Sequence, residues 1–383
     1  MKRNKLCFII PVFDPRTTSH YLHVYELIEE VASTVEIFVF AESGENNIQI
    51  KNIAGAYTQR FHWLFARIIE RWMVFTLLRL RGFSTFYCHY AFTSCLVAKF
   101  VTFALGGKTV LWMCVKEHLY KEKLSLSSLG KKLSKEWPIV YALRHTDKLV
   151  TCSSAMKKYY RSVFRVPSDK IIIIPNWVDV DRFDPKRFNR LSQKKKLGLE
   201  KKKVVAYIHW FSERKGADRL PEIIDKLIKK RNDVHFLLVG AGPLQSTIKE
   251  DIKRRKLEKY TTFMAGVPNL NIPACLAASD VLLVPSHTEE FGRIFLEAMA
   301  MGTPIVTTET EGATTVLTKT QQRYMIAQRK NNKLAEEICE KIIKVLDDPA
   351  ATHELIREGK KRVKQFSLNR VTAQFIKNVA KQS

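Results

Sequence analysis

The chain has 383 residues, 46% of them hydrophobic, which is more than one core usually serves and enough for two. Its 64 lysines and arginines against 38 aspartates and glutamates give a net charge of +26, which calls for an anionic partner: nucleic acid, acidic lipid or an acidic substrate. No window of about 20 apolar residues is free of charge, so no membrane span is expected; residues 61–80 and 91–105 come nearest and are broken by Arg67, Glu70, Arg71 and Arg79 and by Lys99.

The opening MKRNKLCFIIPVF imitates the charged start of a signal peptide. Its apolar run is short, however, breaks at Pro11 and has no small-residue cleavage site, so residues 6–10 are predicted to form a strand. In the stretch 14–28, Ser19 is placed to cap a helix beginning near His20, and Thr17, Thr18 and Ser19 are alternatively donors to a ligand. His20 and His23 can share a helical face, but no third ligand stands at a spacing that would complete a metal site. Further strands are predicted at 35–40, 86–89, 109–113, 148–152 and 171–174. The segment 59–82 is rich in aromatics and arginines and poor in acids. As a helix it sets Arg60, Arg67 and Arg71 close to one stripe, which suits either a membrane interface or a half-buried helix of the first domain.

The lysine-rich stretch 186–203 lacks apolar periodicity and reads as a surface connection. Strands resume at 204–208, 234–239, 262–265, 281–284 and 304–307, and residues 333–346 and 353–381 read as helices. Alternating strands and helices over this length predict an α/β chain of two doubly wound Rossmann-like domains, with the ligand cleft at the carboxyl ends of the strands. Seven cysteines without regular spacing fall mostly in apolar runs, which predicts reduced thiols in a cytosolic chain. There is no zinc finger and no aromatic signature of an RNA-binding sheet, so nucleic acid is not the expected anionic partner.

The most informative stretch is PSHTEEFGRIFLEAMAMGTPIV, residues 285–306. A buried strand precedes it, helical spacing begins at Ile294, and Gly302 stops the helix. Phe291 and Gly292 therefore lie at a strand-to-helix turn, where unpaired backbone N–H groups and the positive end of the helix dipole suit a diphosphate. Glu297 in the helix and Glu289 in the loop can each accept hydrogen bonds from neighbouring hydroxyls. Two polyols joined by a diphosphate describe a sugar nucleotide.

The pattern PS-x-x-E-x-FG-x-x-x-LEAMA-x-G-x-P resembles the donor-site signature of the retaining glycosyltransferases of family 4, which have the GT-B fold. The resemblance implies an acceptor-side domain at 1–185, a nucleotide-sugar-binding domain at 186–358 and a final helix, 359–383, returning to the first domain. It implies that Glu297 holds the ribose, Glu289 the transferred sugar, and the amides around Phe291 and Gly292 the sugar and phosphates. FSERKGADRL resembles the family's RL-x-x-x-KG segment, so Lys215 falls on the phosphate-binding lysine. Trp210 then stands where an arginine is usual. Arg214 and Arg293 are candidates to compensate, or are ordinary surface arginines. GAGP at 240–243 looks like the family's G-x-G-P turn, and AGVP at 265–268 makes Gly266 and Val267 candidate contacts to the base. TEGATTV at 310–316 resembles the GG-x-x-E loop with Thr315 in place of glutamate, and IIIIPNWVDVDRF at 171–183 resembles IPNGVD-x-x-x-F with Trp177 in place of glycine.

The first half departs further. No glycine pair follows the first strand, and the register of the family's acceptor-side histidine gives Cys114. His118, with Glu117 beside it, and His89 are the candidates to handle a proton, although a lone histidine at a strand end is more often a packing residue. The expected activity is transfer of a hexose-type sugar from a nucleoside diphosphate sugar to a saccharide or lipid-linked acceptor, without metal or cofactor. The basic Lys116, Lys121, Lys123, Lys131, Lys132 and Lys135 join 59–82 in pointing to an anionic surface at the cytoplasmic face of a membrane. A GT-B phosphorylase or epimerase, and a nucleotide-sugar-binding scaffold that has lost turnover, are the alternatives.

Overall fold

The structure is a computed structural model that describes residues 4–14, 21–116, 128–328 and 333–381, with only the backbone described at 128–136. The first series of strands is β1 (Lys5–Ile10), β2 (Glu36–Ala41), β3 (Gly55–Thr58), β4 (Thr85–His89), β5 (Lys108–Trp112), β6 (Lys148–Thr151) and β7 (Ile171–Ile173). They form one parallel sheet in the order β3-β2-β1-β4-β5-β6-β7. Helices α1 (Leu22–Ala32), α2 (Leu64–Leu80), α3 (Phe92–Leu105), α4 (Ser128–His145) and α5 (Ser154–Phe164) supply the connections. Parallel strands covered on both faces bury consecutive residues, which is why Leu6–Ile10 reads as an unbroken apolar run rather than an alternating one.

The second series repeats the plan. After α6 (Arg190–Lys196), the elements β8 (Lys203–Ile208), α7 (Leu220–Lys230), β9 (Val234–Val239), α8 (Gln245–Arg254), β10 (Thr261–Met264), α9 (Ile272–Ala277) and β11 (Val281–Val284) follow in turn. They lead to α10 (Arg293–Met301), β12 (Ile305–Thr308), α11 (Glu311–Val316), α12 (Lys319–Gln322), β13 (Met325–Ile326), α13 (Leu334–Asp347), α14 (Pro349–Val363) and α15 (Leu368–Phe375). The sheet order β10-β9-β8-β11-β12-β13 reverses direction between β8 and β11. This is the doubly wound order of the GT-B fold, and its reversal opens a crevice at the carboxyl ends of those two strands.

The chain divides into two compact units, one ending at Asn176 and resuming at Leu368, the other running from Trp177 to Ser367. The sequence boundaries at 185/186 and 358/359 fall elsewhere for local reasons. Trp177 and Phe183 are buried, Val178 N–H donates to the Phe366 carbonyl at 3.0 Å, and an Arg182 N–H donates to the Asn269 carbonyl at 3.2 Å, so 177–183 stays with the second unit. Helix α14 runs without a break across residue 358. In the first unit, Phe375 of α15 packs edge-on to Tyr87, with ring centroids 4.8 Å apart, and against Phe8.

Two sequence expectations are corrected here. The reading of seven reduced cysteines fails at Cys114 and Cys152, which form a disulfide, because the neighbouring strands β5 and β6 bring their Cα atoms to 5.8 Å. The other five cysteines are buried thiols. The arginine stripe of 59–82 also fails at Arg71, which is 2% exposed. Its guanidinium donates to Gln59 Oε1 at 2.9 Å and to Thr93 Oγ1 at 2.5 Å, and lies 3.2 Å from the Glu42 carboxylate. Glu70 is likewise turned inward, accepting from the Tyr57 hydroxyl at 2.6 Å. The outward face of this region is apolar: Trp63 and Phe65 are 84% and 80% exposed, and Phe103 on the adjoining α3 is 85% exposed.

Candidate active site

The segments leaving β8 and β11 at the switch point, 209–216 and 285–292, hold the candidate residues. Past β8 the chain stays paired with the exit of β9: His209 N–H donates to the Val239 carbonyl at 3.0 Å and Phe211 N–H to that of Ala241 at 2.7 Å. Gly240 is required there, since a Cβ would stand 2.0 Å from the His209 carbonyl oxygen. The role of the GAGP turn is thus close backbone approach. A single 3₁₀ turn, Glu213–Lys215, then ends at Gly216 in the left-handed region, where a Cβ would fall 1.9 Å from the Pro285 carbonyl. This contact seats the turn carrying Lys215 directly on the loop carrying Glu289.

Lys215 Nζ lies 2.5 Å from Glu289 Oε2, and the two residues are 5% and 8% exposed. His209 Nε2 approaches the same oxygen at 3.4 Å. Burial by itself would raise the carboxyl pKa of Glu289. The Lys215 charge, joined by the His209 contact, outweighs it and holds Glu289 well below the ordinary carboxylate range. Burial acts in the opposite direction on the imidazole, with Lys215 reinforcing it, and pushes His209 down to about 4 against the pull of Glu289.

Gly292 caps α10 in the left-handed conformation, and a Cβ there would strike the Phe295 ring at 2.5 Å and Glu289 Cγ at 2.9 Å. No side chain caps the helix start, where the Phe295 N–H donates to the Gly292 carbonyl at 3.0 Å and the positive end of the helix dipole lies. Phe291 is buried edge-on to Phe366 and anchors the loop. Gly312, at the start of α11, donates its N–H to the Glu289 carbonyl at 2.7 Å. Its missing Cβ would come within 2.8 Å of that oxygen, which accounts for the glycine of TEGATTV.

The remaining candidates are placed as follows. Glu297 stands one turn after Arg293, whose guanidinium lies 3.3 Å from its carboxylate and 3.5 Å from the Trp177 carbonyl. Arg214 donates to Glu290 at 3.0 Å. Both arginines therefore sit in carboxylate pairs. Trp210 is 58% exposed, and the Thr315 hydroxyl bonds to the Glu311 carbonyl of its own helix. Gly266 is left-handed with open space around it, and with Val267 it follows β10 at the same end of the sheet. In the first unit His89 is buried and stacked on Trp112 at 5.5 Å, and Cys114 is taken up by its disulfide. His118, Glu117 and residues 17–20 lie outside the described residues. Among the described residues no group of three or more His, Cys, Asp or Glu side chains is arranged to hold a metal ion.

Sequence reasoning passed over His209 and Glu290. The available signal for His209 was a polar residue ending the buried run VVAYI just before the KG turn. Nothing in the spacing distinguished Glu290 from its neighbour Glu289.

The family profile described as Glycosyl transferases group 1 matches residues 189–362, and that of Glycosyltransferase Family 4 matches residues 22–182. The chain is 28% identical over 222 residues to a 2-deoxystreptamine glucosyltransferase of Streptomyces kanamyceticus, a match covering 57% of this chain and 56% of that protein. It is 26% identical over 205 residues to a GDP-mannose-dependent alpha-(1-6)-phosphatidylinositol monomannoside mannosyltransferase of Mycobacterium tuberculosis, covering 52% and 53%. The chain thus spans about half the length of the curated relatives it matches. The crystal structure of Anabaena HepE in complex with UDP-glucose superposes with a TM-score of 0.76 at 16% identity, covering 98% of this chain and 99% of that one.

The buried cluster gives stability a defined pH dependence. His209 titrates near 6.5 in the unfolded chain and at about 4 in the fold, so between these values the unfolded state binds more protons and stability falls as pH falls. Glu289, depressed in the fold, adds a loss of the same sign below about pH 4.3, the ordinary carboxylate value. Urea unfolding of wild type should lose up to about 3 kcal/mol from His209 between pH 7.5 and 4. His209→Asn should flatten that part of the curve, and an unchanged slope would contradict the assignment.

Proposed function

The chain belongs to the group 1 glycosyltransferases of family 4, and on that premise we propose that it transfers a hexose-type sugar, with retention of configuration, from a nucleoside diphosphate sugar to a saccharide or lipid-linked acceptor. The observation that carries the reading is the Lys215–Glu289 pair held against the uncapped start of α10. Glu297 takes the ribose hydroxyls and Glu289 a hydroxyl of the transferred sugar. Lys215 uses one of its three N–H bonds on Glu289 and offers the others to the diphosphate. Together with the amides that follow Gly292, it stabilises the charge released as the glycosidic bond breaks, so the reaction runs on fixed donors rather than on a metal ion. The HepE complex with UDP-glucose and the GDP-mannose dependence of the mycobacterial relative support a nucleotide-sugar donor, and a donor screen should span both bases.

The acceptor, in this reading, is presented at an anionic membrane surface. The support is the exposed apolar face of α2 and α3, where Trp63, Phe65, Trp72, Phe100 and Phe103 stand out to solvent. An exposed patch of this kind marks an interaction site. Glu70 is the sole acid in these two helices and is buried, while Arg67, Arg79 and Lys99 are cations, a pairing of apolar and basic groups that fits an interfacial helix. Among the described residues no helix is long and apolar enough to cross a membrane.

Glu297→Gln should weaken nucleotide-sugar binding, measured by titration calorimetry, by roughly 1.5–3 kcal/mol, or about ten- to a hundredfold. Glu289→Gln should act more on turnover than on affinity; wild-type behaviour of both variants would remove the donor-site assignment. The same titration in excess EDTA should return the wild-type affinity, and loss restored by magnesium or manganese would overturn the metal-free mechanism. In liposome sedimentation, wild type should bind vesicles containing anionic lipid, and binding should fall at least tenfold when Trp63, Phe65 and Phe103 are replaced by Ser. Equal binding by that variant, or none by wild type, would disprove the membrane assignment.

A further inference from the structure

We propose that His209 is a positioning residue for Glu289: a neutral imidazole that donates from Nε2 to one carboxylate oxygen and thereby fixes which oxygen is presented to the donor sugar. The inference rests on the donor-site reading given above and adds to it a residue outside the motifs that carry that reading.

Three observations lead there. The backbone N–H of Trp210 donates to His209 Nδ1 at 3.1 Å, so the proton of the neutral ring sits on Nε2. That nitrogen is 3.4 Å from Glu289 Oε2, and the second proton that would make the ring cationic is opposed by burial and by the neighbouring Lys215 and Arg214. Glu290, the other nearby acid, is engaged by Arg214. Lys215 donates to the same Oε2 at 2.5 Å, so ammonium and imidazole face one oxygen, and among the described residues no hydrogen bond reaches Oε1.

Why a second donor is needed follows from the geometry. The backbone of residue 289 is held by Gly312, and its Cγ is in close quarters with Gly292. What remains free is rotation about the last side-chain bond, a broad torsion with no strong minimum. A lysine ammonium is a point charge on a flexible stem and does not fix the plane of a carboxylate. The imidazole does, because its own backbone is pinned to β9 through the Val239 carbonyl and the crowded Gly240. A ring that stays neutral also lets Lys215 keep its charge for the diphosphate.

Two near-isosteric amides separate this role from a packing role. Asn at 209 keeps an acceptor for the Trp210 N–H but is too short to reach Glu289, whereas Gln places an N–H₂ close to the position of Nε2. Transfer from UDP-glucose and GDP-mannose would be followed in wild type, His209→Asn and His209→Gln, with UDP and GDP affinities and melting temperatures measured alongside. Expected is a ten- to hundredfold fall in kcat for His209→Asn, with nucleoside diphosphate affinity within about twofold of wild type, and recovery of most of that loss in His209→Gln. Wild-type kcat should be level from pH 8 to 5.5, since the ring does not titrate there. Equal kcat in wild type and His209→Asn would overturn the positioning role, as would a parallel loss of kcat, diphosphate affinity and melting temperature in both variants. A wild type that neither binds nor transfers from any nucleotide sugar removes the donor-site reading itself and this role with it.

Discussion

A carboxylate buried against a lysine is the constraint from which the second unit is organised. Taking both ions out of water costs several kcal/mol each, and their attraction offsets that cost only when the geometry is close and the remaining polar atoms are served. The 2.5 Å contact between Lys215 and Glu289 meets the first condition, and His209 stands 3.4 Å from the same oxygen. The price is paid in backbone: four glycines, Gly216, Gly240, Gly292 and Gly312, stand where a Cβ would collide with the loops that bear these side chains. Gly216, Gly240 and Gly292 lie in turns and Gly312 in the first turn of α11, all following strands at the carboxyl end of the sheet, so the fold's reversal point and the chemistry are one arrangement.

The parts legible in the sequence were those where one local rule decides. Buried parallel strands left continuous apolar runs, and the turn at Gly292 and the stop at Gly302 marked both ends of α10 correctly. Strand β3, with the sequence GAYT, and the two-residue β13 were missed because edge strands this short carry no run to detect. Arg71 and the Cys114–Cys152 pair were misread for a different reason. Their partners come from elements 12 to 38 residues away, and helical periodicity is blind to what the next element brings. His209 belongs to the same class, since its meaning depends on a glutamate 80 positions later that only the Gly216–Pro285 contact brings near it.

The large positive charge is easier to understand once the arginines are sorted by what they touch. Arg71, Arg214 and Arg293 each lie beside an acid of the fold, Glu42, Glu290 and Glu297. The apolar surface of α2 and α3 is then distinct from the general excess of lysine: charge brings such a protein toward an anionic surface over a distance set by screening, while apolar side chains act only on contact. The two effects respond differently to salt, which separates them in practice.

The first unit is interrupted in sequence, since its core is closed by Phe375 against Phe8 and Tyr87 only after the whole of 177–367 has intervened. Among the described residues the second unit is continuous. During synthesis the second unit can therefore reach its native state while the first still shows two aromatic side chains of its sheet to water, and the later part of the chain is the one that finishes first. The segment 368–375 thus completes a core whose strands are made long before it, and the order of synthesis and the order of closure run in opposite senses in the two units.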